Sequence, residues 1–122
     1  MPLFISAVAD GRPVTIFGDG GQSRDFTYVE NVVGANLAAA DAADANGRIF
    51  NIAAGAPNSV NQLVDTIGEL LGKPVEKRFE PPRAGDIRDS FAAVAAAGEV
   101  LGWQPTIGFE DGLRRTIEAL LG

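Results

Sequence analysis

Short apolar runs and helix-period stretches alternate along this chain, most clearly over residues 59–79. Ser59 is a good helix N-cap, because its hydroxyl accepts a hydrogen bond from a first-turn backbone N–H. Val60, Leu63, Val64, Ile67, Leu70 and Leu71 then recur at i, i+3, i+4, i+7, i+10 and i+11, which is one apolar stripe down one helix face. Gly72 and Pro74 stop that helix, and Val75 to Phe79 follows as a strand. A chain that repeats this unit buries its apolar faces by laying helices on a sheet, so the expected class is α/β.

The rest of the chain fits the same pattern. Pro2 to Asp10 reads as a helix with Phe4, Ala7 and Val8 on one face and Gly11 as its stop. Val14 to Phe17 reads as a strand, closed by the turn Gly18-Asp19-Gly20-Gly21, and Arg24 to Val29 as a second strand. Glu30 to Ala43 is an alanine-heavy helix, and Ile49 to Ala53 a short strand suited to a buried parallel sheet. Pro81 to Asp86 is stiff and irregular, Phe91 to Leu101 helical, and Trp103 to Pro105 a turn. Phe109 to Leu121 closes the chain as a helix, with Phe109, Leu113, Ile117, Leu120 and Leu121 inward and Arg114, Arg115 and Glu118 outward. The strands are few and short, and no complete βαβ unit stands at the front. At 122 residues the pattern reads as one domain's worth of sequence and as part of something larger.

Side-chain chemistry narrows the function. There is no Cys, hence no disulfide, thiol nucleophile or thiolate metal site. There is no His, which removes the usual metal ligand and the usual neutral-pH general base, so no metal site is expected. Sixteen acidic against ten basic side chains give a net charge of −6, the wrong sign for a nucleic-acid partner. No apolar run reaches the roughly 18–20 residues of a membrane span, so no membrane partner is expected. MPLFISAVADGR lacks the basic leader and cleavage site of a signal peptide, and a cytoplasmic protein is the default expectation.

The candidate motifs are few. A dinucleotide fingerprint needs a strand, then G-x-G-x-x-G, then a helix whose N-terminus holds the pyrophosphate. The glycines at 18–21 sit between two strand-like runs instead, so a hairpin-type turn is expected. Tyr28 is the only tyrosine and has no Lys at the short spacing of Tyr-Lys redox catalysis. Lys73 and Lys77 read as solvated charge, and the pairs Asp41/Asp44 and Glu110/Asp111 as solubility and helix-dipole charge. Two arginines stand out: Arg24 after a glycine-rich turn, and Arg83 in stiff backbone between Pro-Pro and Gly-Asp. A guanidinium fork matches phosphate bidentately, so both are candidates for anion recognition. The alternative is a structural ion pair, with Asp25 and Asp86 as the nearby partners.

PVTIFGDGGQSRDFTYVENVVGANLAAA (13–40), IFNIAAG (49–55), SVNQLVDTIGELLGKPV (59–75), PPRAGDIRDS (81–90) and LGWQPTIGFEDGLRRTIE (101–118) together resemble the NAD-dependent nucleotide-sugar epimerases and dehydratases. These are extended short-chain dehydrogenases of the UDP-glucose 4-epimerase type. The resemblance covers nearly the whole chain, in order and with the family's spacing. In that family a Rossmann domain comes first, with the glycine fingerprint for NAD and a Tyr-x-x-x-Lys catalytic pair, and this sequence has neither. The resemblance therefore implies an α/β C-terminal, substrate-binding part of such an enzyme, residues 1–122 as one fragment, with most of the Rossmann domain absent. It implies no catalytic residue and no bound cofactor in this chain, NAD belonging to the parent enzyme.

Residue by residue, the resemblance places Thr15 and Phe17 beside the uracil or thymine of a UDP- or dTDP-sugar. Arg24 becomes a first diphosphate anchor, with Phe26 near the nucleotide. Arg83 becomes a second anchor, and Asp86 an acceptor for ribose hydroxyls. The chain departs from the family where Ala93 replaces a helix-capping Asp and Ala96 a Lys. A lost cap costs about 1 kcal/mol, and Gly98 inside that helix about as much. A stand-alone, non-catalytic binding module on the same fold portion is the rival expectation. Without a companion domain, the strand at 49–53 and the apolar residues Val32, Val33 and Leu37 are expected to drive self-association.

Overall fold

The computed structural model describes residues 1–90 and 92–122 and contains helices interleaved with short strands. The order is α1 (Pro2–Ala9), β1 (Val14–Phe17), β2 (Ser23–Arg24), α2 (Val29–Asp41), a 3-10 turn (Ala43–Ala45), β3 (Asn58–Ser59), α3 (Val60–Leu71), β4 (Lys77–Glu80), β5 (Asp89–Ser90), α4 (Ala95–Leu101) and α5 (Phe109–Leu121). The chain is α/β, as the alternation predicts. Among the described residues no helix is long and apolar enough to cross a membrane.

The strands form two small sheets. β1 pairs in parallel with β4, Val14 opposite Lys77 and Phe17 opposite Glu80. β2 lies between β3 and β5, antiparallel to the first and parallel to the second. Side chains alternate across a strand, so Val14 and Ile16 of β1 are both 1% exposed and Thr15 faces outward. Val14 and Ile16 enter the main core with Ile5 and Val8 of α1, Leu63, Val64 and Ile67 of α3, and Leu113 and Ile117 of α5. Each such side chain contributes about 1.5–3 kcal/mol when fully buried. A smaller cluster joins Ala35 of α2, Ala97 of α4 and Trp103.

α3 follows its sequence signals closely. The Ser59 hydroxyl accepts from the Gln62 N–H (3.1 Å), and the Gln62 side chain accepts from the Ser59 N–H (2.7 Å). This reciprocal cap fixes the helix start, and the helix stops at Gly72.

Several sequence expectations are corrected. The glycine turn is not a hairpin, because β1 and β2 belong to different sheets. The expected strand at 24–29 shrinks to Ser23–Arg24. Beyond it, Asp25 accepts from the N–H groups of Ala54 (3.1 Å) and Gly55 (2.7 Å), and the Thr27 hydroxyl accepts from Ala54 (3.1 Å). Side chains there bind backbone in place of a strand ladder, and Val29 already begins α2. Residues 49–53 form no strand, and Ile49 is 95% exposed. Strand-forming side chains make a strand only where another strand lies alongside, and no described residue pairs with this segment. β4 starts at Lys77 rather than Val75. The alanine-rich helix runs from Ala95 only, and its expected start at Phe91 lies outside the described residues. Leu120 and Leu121 are half exposed, because the last turn of α5 runs past the core.

Candidate functional site

The outward alternation of β1 builds one wall of a cleft. Thr15 and Phe17 share the face opposite to Val14 and Ile16. The chain leaving β4 returns over that face as the Pro-Pro-Arg-Ala-Gly-Asp segment, and the Arg83 guanidinium carbon lies 3.9 Å from the centre of the Phe17 ring. Thr15, Phe17, Arg83 and Asp86 line a single open cleft of about 800 Å³, together with Arg12 and Gln22. Four of the six residues proposed from sequence therefore meet in one place.

Arg24 reaches this cleft through Asp86, not as part of its wall. Its Nη2 lies 2.8 Å from Asp86 Oδ1, and its Nη1 donates to the Ser23 carbonyl at 2.6 Å. Sequence proximity set Arg24 beside Asp25 and Arg83 beside Asp86, but the structure pairs Arg24 with Asp86. Asp25 instead holds the backbone at 54–55. Arg83 is the opposite case: among the described residues it makes no ion pair, and its charge rests on an aromatic face. In this acidic chain, Arg83 offers an anion an unspent fork of donors.

Phe26 is not in the cleft. Its ring packs 5.8 Å from that of Phe109 against the main core. It lines a separate cavity of about 480 Å³ with Tyr28, Phe109 and Leu113. A strand continuing over 24–29 would put Phe26 on the face of Arg24, but β2 ends at Arg24 and the alternation ends with it.

The sequence reading passed over Arg88. Its Nη1 lies 2.8 Å from Asp19 Oδ1, which ties the glycine turn to the strand after the Pro-Pro segment. The hydrogen bond from Arg88, helped by the Gly21 N–H, holds the Asp19 carboxyl below its ordinary range, and the same bond raises Arg88. No spacing signal separates Arg88 from other surface arginines, because its partner is 69 residues away. The lysines read as solvated are also engaged: Lys77 pairs with Asp65 at 2.7 Å, and Lys73 donates to the Ala9 carbonyl.

The glycine turn does not fit a dinucleotide. It leads into a strand, and its concave side is filled by protein. A Cβ on Gly20 (φ +76°) would meet Asn61 at 2.3 Å, and one on Gly21 would meet Arg88 at 2.8 Å. Asn61 also donates to the Asp19 carbonyl at 3.0 Å. A pyrophosphate site needs open backbone N–H groups at a helix start, and no helix starts at this turn.

The chain is similar to known proteins over most of its length. Residues 1–53 match the NAD dependent epimerase/dehydratase family. A UDP-glucose 4-epimerase of Mycolicibacterium smegmatis is 40% identical over 95% of this chain, and a UDP-glucuronate 4-epimerase of Thermodesulfobacterium geofontis is 32% identical over 93%. The chain spans 37% and 35% of the length of those two relatives. The structure of UDP-glucose 4-epimerase from Thermotoga maritima with UDP-glucose superposes with a TM-score of 0.88 at 41% identity, covering 95% of this chain and 37% of that one. UDP-glucuronic acid 4-epimerase from Bacillus cereus, in complex with UDP-glucuronic acid and NAD, gives 0.91 at 28% identity, covering 97% and 38%. Residues 1–53 thus match the NAD dependent epimerase/dehydratase family, and nearly the whole chain is similar to somewhat over a third of the length of these 4-epimerases.

Proposed function

We propose that residues 1–122 form one nucleotide-sugar-binding unit of an NAD-dependent sugar 4-epimerase or dehydratase. The observation that carries this reading is the convergence of Thr15, Phe17, Arg83 and Asp86 on one cleft. In this reading the ligand is a UDP- or dTDP-sugar. Arg83 and Arg24 take the diphosphate, Asp86 accepts from the ribose hydroxyls, and Thr15 and Phe17 lie against the base. The solved relatives that hold UDP-glucose and UDP-glucuronic acid support the ligand class.

This unit's contribution to a reaction is positional. Gripping the nucleotide fixes where the sugar lies, and holding reactants in place lowers the entropic part of a barrier. In this reading no redox step falls to these residues, because the glycine turn leads into a strand and not into a helix start. Binding by the isolated chain is weak, because few contacts offset the cost of immobilising the ligand.

The test is an amide-resolved NMR titration with uridine diphosphate. Saturable shifts at Thr15, Phe17, Arg83 and Asp86, lost in Arg83→Ala, are expected, and NADH fluorescence should show no saturable change. Absence of shifts at millimolar ligand, or shifts centred on the Phe26–Phe109 cavity, would refute the assignment.

A further inference from the structure

We propose that Asn46-Gly47 is a self-modifying site, at which the Asn46 side chain closes on the Gly47 nitrogen and the residue becomes aspartate or isoaspartate. The site is independent of the ligand reading above, since this turn lies outside the cleft.

The chain holds one Asn-Gly step, and the fold leaves it open. Asn46 follows the 3-10 turn with φ −58° and ψ 124°, and Gly47 takes φ +70°. The Arg48 N–H closes the turn on the Ala45 carbonyl at 3.1 Å. This is a type II turn, whose third position needs the left-handed backbone that glycine adopts without strain. Asn46, Gly47 and Arg48 are all exposed, and a Cβ on Gly47 would meet nothing within 4 Å. The Gly47 N–H finds no backbone acceptor among the described residues.

Those features suit one reaction. The Gly47 N–H gives its proton to hydroxide, and the nitrogen attacks the Asn46 side-chain carbonyl carbon. A ring C–N bond forms, the C–NH2 bond breaks, and ammonia leaves after taking a proton from water. Water then opens the five-membered imide at either carbonyl. One opening gives aspartate, and the other leaves the main chain running through the side-chain carbons as isoaspartate. The net change is one water in and one ammonia out. The attack requires Asn46 to rotate away from ψ 124°, and the Arg48–Ala45 bond is the tie that this rotation breaks. Glycine puts no side chain in the path. Asn58-Ser59 is the contrasting case. Asn58 lies in β3 opposite Arg24, its Nδ2 donates to the Ala56 carbonyl at 3.0 Å, and the Ser59 N–H donates to Gln62 Oε1 at 2.7 Å. The nitrogen that would attack there is already engaged.

The modification changes the structure around it. The 3-10 turn packs against α4. Isoaspartate lengthens the main chain at 46 and opens the 45–48 turn, which loosens the join between α2 and the segment at 49–53. Either product adds a negative charge close to Asp44.

The experiment ages the folded chain in mildly alkaline buffer. Mass spectrometry with fragmentation follows the tryptic peptide that ends at Arg48, and an isoaspartyl carboxyl methyltransferase with labelled S-adenosylmethionine counts isoaspartate. Wild type should gain about one mass unit at Asn46 and take up label there. Asn46→Gln should lose both signals, because its longer side chain must close a larger ring. Asn58 should stay intact in the folded chain and begin to react in urea, whereas urea should change the rate at Asn46 little. An Asn46 that reacts in urea and stays intact in the folded chain would show that the turn protects it, and overturns the proposal. An Asn46 intact under both conditions, or label on this peptide undiminished in Asn46→Gln, overturns it as well.

Discussion

Replacing Asn31 with Ala should destabilise the fold by about 2.5 kcal/mol, and the structure shows where the loss arises. Asn31 sits in the first turns of α2 at 2% exposure, the one polar residue among the buried side chains of the described residues. Its Nδ2 donates to the Ile107 carbonyl at 2.8 Å, and its Oδ1 accepts from the N–H groups of Thr106 (3.0 Å) and Ile107 (3.1 Å). Each net hydrogen bond contributes about 1 kcal/mol, and part-buried partners left unpaired push the total toward 3 kcal/mol. Alanine returns about 0.5 kcal/mol of helix propensity. The remainder is a large share of a stability on the order of 5–15 kcal/mol. The effect also bears on the site. The stapled segment leads into α5, whose Phe109 packs on Phe26, two residues from Arg24. Gly112 of the same helix lies so close to Tyr28 that a Cβ there would sit 2.8 Å from it, so this corner has little slack. The assay is urea unfolding followed by far-UV circular dichroism and by Trp103 fluorescence, since Trp103 packs in the cluster beside α2. A loss below about 1 kcal/mol at unchanged m-value would refute the reasoning, because it would mean that water replaces all three partners freely.

Three further outcomes are expected. Arg83→Ala should weaken uridine diphosphate binding by about 1.5–3 kcal/mol, the scale of a charge-assisted hydrogen bond. Arg24→Ala should weaken it less, since Arg24 must first leave Asp86, and equal or reversed losses in the two titrations would contradict the geometry. Arg88→Ala should return the Asp19 carboxyl upward toward its ordinary 3.8. A carboxyl held low in the folded state contributes stability above its ordinary range and loses it as pH falls through the lowered value, so the variant, left with the Gly21 N–H alone, should show a weaker acid-range dependence. A carbon-detected titration of Asp19 with no change on substitution would exclude the pairing in solution. Finally, the isolated chain should self-associate through the stripe of Val29, Val33 and Leu37 on α2 (62%, 49% and 65% exposed), together with Ile49. Light scattering behind size exclusion checks this, and a monodisperse 12.7 kDa monomer at high concentration would rule it out.

Local signals determined much of this protein. α3 was legible end to end because its cap, stripe and stop all lie within a dozen neighbouring residues, and α1, β1 and α5 were legible for the same reason. The type of chemistry was legible too: the absence of His and Cys leaves arginine and carboxylate as the available recognition groups, and Arg83 stands out by its stiff surroundings. Pairing across the chain was not legible. Whether 49–53 is a strand depends on a neighbour that no local propensity supplies, and whether residues 25–29 continue β2 depends on Asp25 and Thr27 finding backbone donors nearly 30 residues away. The same holds for the site. Sequence named Arg24 and Asp86 as separate ligand contacts. Only the tertiary structure, by bringing side chains 62 residues apart to 2.8 Å, made them each other's partner. It also turned Phe26 away to the core while laying Arg83 on Phe17. The physical reason is one of range: caps, stripes and turn residues act over a few bonds of chain, whereas an ion pair or a strand partner is chosen in space, after the core has set which surfaces meet.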